Sequence, residues 1–170
     1  PIGFMLLFWP CSWGLAYGYG LDQDLNIFLY YTLLFFLGSV LMRSAGCIFN
    51  DIVDKDFDKK VQRTKLRPIA CGKISIKQSI FYILFLCLIA FLILIQFNLK
   101  TIYLGLGSML LAFSYPFMKR ITFWPQLFLG LTFNWGMIMG YTAILDQISF
   151  EIVILYLSAI FWTLGYDTIY

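Results

Sequence analysis

The chain has 170 residues, of which 61% are apolar and only 12% charged, with a formal net charge of +3 and a mean hydropathy of +0.83. A soluble domain carries about 25% charged residues; here the polar side chains are too few to cover a water-facing surface, and the sequence reads as an integral membrane protein. Histidine is absent, which excludes histidine general bases, serine–histidine triads, histidine haem ligation and HExxH zinc sites in this chain.

Taken in order, six stretches approach the roughly 20 apolar residues that a helix needs to cross a bilayer core of about 30 Å: 1–20, 26–49, 79–97, 101–118, 123–145 and 152–166. The predicted fold class is therefore all-α, a polytopic transmembrane helix bundle in one domain. The first stretch lacks the basic leader of a signal peptide and is punctuated by Gly3, Pro10, Gly14 and Gly18. The fourth is short and reads as closing at the turn-like Tyr115-Pro116. Cys11, Cys47, Cys71 and Cys87 form no CxxC pair and are expected to be buried thiols, neither a disulfide frame nor a metal site.

Connections are short except for the polar segment 50–78, which holds eight of the twelve basic residues; Lys119 and Arg120 add two more in the loop after the fourth stretch. The other loops carry Asp22 and Asp24, then Lys100, then Asp146 and Glu151. The positive-inside rule puts the two basic loops on the cytoplasmic side, with Asp167, after the sixth stretch, returning to that side. Because the basic residues flank apolar spans, nucleic-acid binding has no support, and no protein partner is inferred. Arg43 departs from the pattern. It lies inside the second stretch, where a charge is costly and faces a cavity or a partner unless it snorkels to the surface.

The most informative segment runs from Asn50 to Lys60. Asn50, Asp54 and Asp58 are four residues apart, so they form one stripe if the second helix continues. Carboxylates at this spacing repel one another and call for a cation, and oxygen-only ligands favour a hard ion such as Mg²⁺, which keeps waters and bridges to substrate phosphates. Arg63, Lys65 and Arg67 follow directly, and mixed carboxylates and cations suit a metal-bound polyphosphate. The plainer alternative is a solvated loop whose charges pair with one another. An EF-hand fits only its first three ligand positions, since glycine and the closing glutamate are absent where that loop requires them.

Asn50-Asp51-x-x-Asp54-x-x-x-Asp58 resembles the first aspartate-rich motif of the UbiA family of intramembrane prenyltransferases. Met42-Arg43-Ser-Ala45-Gly46-Cys47, Arg63-Thr64-x-x-Arg67-Pro68, Tyr115-Pro116-Phe117-Met118-Lys119-Arg120-x-Thr122, Trp124-Pro125-Gln126 and Tyr166-Asp167-Thr168-x-Tyr170 resemble its 4-hydroxybenzoate polyprenyltransferase branch. The resemblance implies a nine-span fold, six spans of which fall in 1–170, and two aspartate motifs meeting in a cytoplasmic cavity. It further implies that the chain is an internal piece of a longer enzyme, inactive by itself.

The implied reaction is transfer of a polyprenyl group from its diphosphate to the ring carbon ortho to the hydroxyl of 4-hydroxybenzoate, in ubiquinone biosynthesis at a bacterial or mitochondrial inner membrane. Asp54, Asp58 and Asp167 would bind Mg²⁺ on the diphosphate, with Asn50 as a further polar contact. Arg63, Lys65 and Arg67 would meet the diphosphate. Arg120, in the Lys119-Arg120 pair, would bind the acceptor carboxylate, with Arg43 as second choice. Alternatives are another acceptor, haem or a naphthoate, and a non-catalytic transport or lipid-binding protein.

Overall fold

In the computed structural model the described residues are 2–22 and 24–169, the side chains of Ile2, Lys119 and Arg120 excepted. After a 3-10 turn at Ile2–Phe4 come α1 (Met5–Asp22), α2 (Leu25–Val53), the short α3 (Lys55–Asp58), α4 (Ile76–Leu94), α5 (Leu99–Ile121), α6 (Pro125–Leu145) and α7 (Phe150–Ile169). No strand occurs among the described residues. The all-α class therefore holds, as a bundle of long helices.

Local chemistry sets the helix starts. The Asp24 carboxylate accepts from the Asn26 and Ile27 amides and caps α2. Ser75 and Gln78 form a reciprocal capping box on α4. Asn98 caps α5 through the Thr101 amide and also donates to the Thr142 and Ala143 carbonyls at the end of α6. Lys100 pairs with Asp146 beside it. That end of the bundle is thus pinned where α5 begins and α6 finishes, opposite the end that carries the 50–78 segment.

Among the described residues five helices are long and apolar enough to cross a membrane: Leu25–Val53, Ile76–Leu94, Leu99–Met118, Pro125–Leu145 and Phe150–Ile169. The first expected span, 1–20, is helical as α1, but its apolar run is diluted by Trp, Tyr, Gly and Pro, and it is not among the five. α1 lies along α6, the most extensive helix pair in the bundle. Two glycine pairs, Gly14 and Gly18 on α1 and Gly136 and Gly140 on α6, bring these backbones together. A Cβ at Gly14 would strike the Met137 carbonyl oxygen, and one at Gly140 the Cys11 carbonyl oxygen. This is the small-residue packing that membrane helices use where burial from water supplies no drive.

Polar groups clip the remaining helices. Buried Asn134 on α6 donates to the Gly130 carbonyl and to the Thr163 hydroxyl on α7. The Trp135 indole N–H donates to the Leu104 carbonyl on α5, and the Tyr156 hydroxyl donates from α7 to the Leu131 carbonyl.

Two expectations are corrected. The fourth span does not close at Tyr115-Pro116; α5 runs through Pro116 to Ile121. A proline removes one amide donor from the helix ladder, and in a membrane helix that loss is tolerated where the freed carbonyl faces a cavity; Ala112, four residues back, lines one. The four cysteines are unpaired, as expected, but only Cys11 is buried, while Cys47 and Cys71 are exposed. Cys71 lies in the polar 50–78 segment, and Cys47 lines the same cavity from α2.

Candidate functional site

α2 is 29 residues long, about 43 Å at 1.5 Å per residue. It exceeds the bilayer core by several turns, so Asn50 and Asp51 stand near one membrane surface. The helix is interrupted at Asp54 (φ −91°, ψ 3°) before α3 begins. Backbone bonds nevertheless continue across the junction, from the Asp54 amide to the Asn50 carbonyl (2.8 Å) and from the Asp58 amide to the Asp54 carbonyl (2.9 Å). The four-residue step of Asn50, Asp54 and Asp58 is preserved although α2 itself stops.

The segment after α3 folds back over this junction. Buried Thr64 donates its hydroxyl to the Asp58 carbonyl (3.1 Å), and Ile69 and Ala70 are buried beneath the loop. This brings Arg67 against two carboxylates at once. Its Nη1 donates to Asp51 Oδ1 at 2.9 Å and to Asp58 Oδ2 at 3.0 Å. Thr64→Val keeps the side-chain shape but leaves the Asp58 carbonyl with the Val61 amide at 3.3 Å as its remaining donor. The lost bond is worth about 1 kcal/mol, so deuterium exchange of the amides over 58–70 is expected to speed up about fivefold.

A cavity of about 370 Å³ opens beside this junction, lined by Arg43, Asn50 and Asp51 of α2, Arg67 of the loop, Tyr115 and Pro116 of α5, and Thr132 and Phe133 of α6. A second, apolar cavity of about 150 Å³ lies deeper in the bundle, among Leu34, Phe35, Phe91, Leu94 and Phe97. The two share Leu7, Met42, Thr132 and Phe133 in their walls. A charged chamber thus adjoins a greasy one, and these four side chains form the neck at their boundary.

The expected site residues are distributed unevenly around this chamber. Arg43, Asn50 and Arg67 line it. Asp58 is buried just behind Arg67, and Asp54 is half-buried at the end of α2. Arg63 and Lys65 are exposed on the loop and do not line the chamber. Asp167, exposed near the end of α7, acts electrostatically on Tyr115, as does Arg43. Lys119 and Arg120 follow Tyr115-Pro116 by one turn at the end of α5, and their side chains lie outside the described residues. Asp51, which the stripe of four-residue steps passes over, turns out to share Arg67 with Asp58. The signal was present, because positions seven apart fall on one helix face.

The donor set is oxygen-rich, and the soft ligands in the chamber wall are Met42 and Cys47. Among the described residues no three Asp, Glu, His or Cys side chains converge closely enough to hold a metal by themselves. This suits Mg²⁺, which needs only one or two carboxylates when waters and substrate phosphates complete its octahedron. That Asp51 and Asp58 already converge on one cation shows that their oxygens can serve a shared positive charge.

Residues 7–170 match the model of the UbiA prenyltransferase family. The chain belongs to this family. It is 48% identical over its whole length to the mitochondrial 4-hydroxybenzoate polyprenyltransferase of Caenorhabditis elegans, 50% to that of Arabidopsis thaliana and 49% to that of Homo sapiens. It spans 48%, 42% and 46% of those relatives, respectively, so about half their length. The fold agrees as well. The apo structure of a UbiA homolog from Aeropyrum pernix K1 superposes with a TM-score of 0.77 at 26% identity, over 100% of this chain and 63% of that one. The helical bundle described above is thus the UbiA fold.

Proposed function

We propose that the protein containing this chain transfers a polyprenyl group from its diphosphate to the ring carbon ortho to the hydroxyl of 4-hydroxybenzoate. The observation that carries this reading is the identity of about half of all residues, over the full chain, with relatives named for that reaction. The two adjoining chambers suit it. The charged one fits a diphosphate and a small aromatic acid, and the apolar one fits an isoprenoid tail.

Mg²⁺ would be held by Asp54 and Asp58 together with Asp167, and when bound it supplies Lewis-acid stabilisation to the leaving diphosphate. Arg67, paired with Asp51 and Asp58 in the chamber wall, fixes these carboxylates and turns its remaining N–H donors toward the diphosphate. Asn50 supplies an amide donor to a phosphate oxygen. Departure of the diphosphate leaves an allylic carbocation at the neck, and the apolar walls there keep water from capturing it. The nucleophile is the acceptor's ring carbon, whose proton passes to the released diphosphate as aromaticity is restored; the acceptor's carboxylate is held by a cation, Arg43 in the chamber or Arg120 at the end of α5. The protein works in a bacterial or mitochondrial inner membrane, with its basic end on the cytoplasmic or matrix side.

The test is incubation of membranes holding the complete gene product with Mg²⁺, a polyprenyl diphosphate and labelled 4-hydroxybenzoate, which should yield the prenylated acid. Diphosphate release without that product, in the presence of the acceptor, would overturn the assignment. Asp54→Ala should abolish both turnover and its dependence on Mg²⁺, a loss on the order of 10³-fold for removal of a charge-stabilising group. Normal turnover in that variant would remove Asp54 from the metal site.

A further inference from the structure

Arg43 is held by groups that carry no charge. Its Cζ stands 5.6 Å from the centroid of the Phe133 ring on α6. The Gly3 backbone approaches so closely that a Cβ there would lie 3.0 Å from Nε and 3.3 Å from Nη2. Among the described residues, Arg43 forms no ion pair and donates no hydrogen bond. Asp167 acts on the same Tyr115 as Arg43 does but does not pair with the guanidinium. A guanidinium inside a helix bundle with no acceptor for its five donors is costly unless an anion completes it.

The place of Phe133 gives this cation a purpose. Phe133 belongs to the neck between the charged and apolar chambers. A donor with its diphosphate beside Arg67 and its tail among Phe35, Leu94 and Phe97 must pass its reactive carbon through that neck. An acceptor gripped at Arg43 would have its ring next to the same point.

We propose that Phe133 and Gly3 are positioning residues that hold the Arg43 guanidinium against the neck, where it receives the acceptor's carboxylate. The inference rests on the transfer reading above and adds to it the residues that set acceptor affinity. The face of Phe133 orients the cation without neutralising it, as a carboxylate would. The absence of a side chain at Gly3 leaves the guanidinium room to lie flat against the first turn.

The test uses the complete gene product in membranes, with KM measured separately for 4-hydroxybenzoate and for the polyprenyl diphosphate. Phe133→Leu keeps an apolar side chain but removes the π face. It should raise KM for 4-hydroxybenzoate roughly five- to thirty-fold, the range of a partly desolvated cation–π contact, and raise KM for the diphosphate by a clearly smaller factor, because Phe133 also borders the donor's path. Phe133→Tyr keeps the face and should restore the wild-type value, which a purely structural loss would not do. Gly3→Val displaces the guanidinium from another side and should give the same split. Equal rises for both substrates, or wild-type values in both Phe133→Leu and Gly3→Val, would overturn the proposal while leaving the transfer reading standing. No prenylated product from the wild-type protein would overturn the transfer reading and this proposal with it.

Discussion

Arg67→Met is expected to lower turnover about a hundredfold and to raise KM for the prenyl diphosphate, with Arg67→Lys falling between it and the wild type. One nitrogen, Nη1, serves both Asp51 and Asp58, whose side chains are 26% and 11% exposed. Without it, two carboxylates face each other in a half-desolvated pocket with no shared cation. A hydrogen bond to a charged group contributes about 1.5–3 kcal/mol, so losing two of them readily accounts for a hundredfold effect even after solvent screening. Methionine fills the space of the stem, which separates loss of charge from loss of packing. Lysine is one atom shorter and lacks the planar fork, but its ammonium also carries several donors on a single nitrogen. Because the bridge here runs through one nitrogen, lysine should keep part of the function. The comparison variant is Arg63→Met. Arg63 belongs to the same sequence motif yet is exposed and outside the chamber wall, so its steady-state parameters should change little. Equal losses in the two variants would mean that the loop presents both arginines to substrate, contrary to the geometry.

That contrast marks where the sequence is informative. Arg63, Lys65 and Arg67 are equivalent as a run of charges, and nothing in their spacing says which one turns inward. The decision is made by Thr64, Ile69 and Ala70, whose burial folds the loop back. Such a long-range consequence leaves no periodic trace. The helices themselves were readable because apolar length is what a bilayer demands. The ends of α5 were less so, because Pro116 signals a turn in water but is carried through beside a cavity. Counting in fours from Asn50 selects Asp54 and Asp58, whereas counting in sevens selects Asp51 with Asp58, the pair that the folded chain brings onto Arg67. Arg43 was conspicuous as a charge in an apolar run, and its place in the chamber wall answers that anomaly. Its holders, Gly3 and Phe133, are an ordinary glycine and an ordinary aromatic in a chain where aromatics make up 20%. The glycines of α1 read as punctuation along one stretch. Their meaning appears only when Gly136 and Gly140, more than a hundred residues away in sequence, are laid against them.

Replacing either member of the closest glycine contact should therefore do more damage than any other single change in the membrane-embedded core. In Gly14→Leu and in Gly140→Leu the new side chain meets backbone, which cannot rotate away. A Cβ at Gly14 also lies 2.9 Å from the Tyr141 nitrogen, and one at Gly140 lies 2.9 Å from the Leu15 nitrogen. The α1–α6 pair must separate, and with it Leu7 of α1 leaves Thr132 and Phe133 of α6, which share the neck of the two chambers. Overpacking costs on the order of 3 kcal/mol, equivalent to roughly 10 °C in the thermal transition of a chain this size, measured in detergent by loss of monodisperse protein on heating. The series has a built-in gradient. Gly18→Ala meets the Ile144 side chain at 3.2 Å and the Tyr141 carbonyl oxygen at an ordinary 3.5 Å, and should cost less. Gly20→Ala meets nothing within 4 Å and should leave the transition unchanged or slightly raised, since alanine favours helix over glycine. Equal shifts for Gly14→Ala and Gly20→Ala would show that helix propensity, and not the close approach of two backbones, sets the stability of this pair.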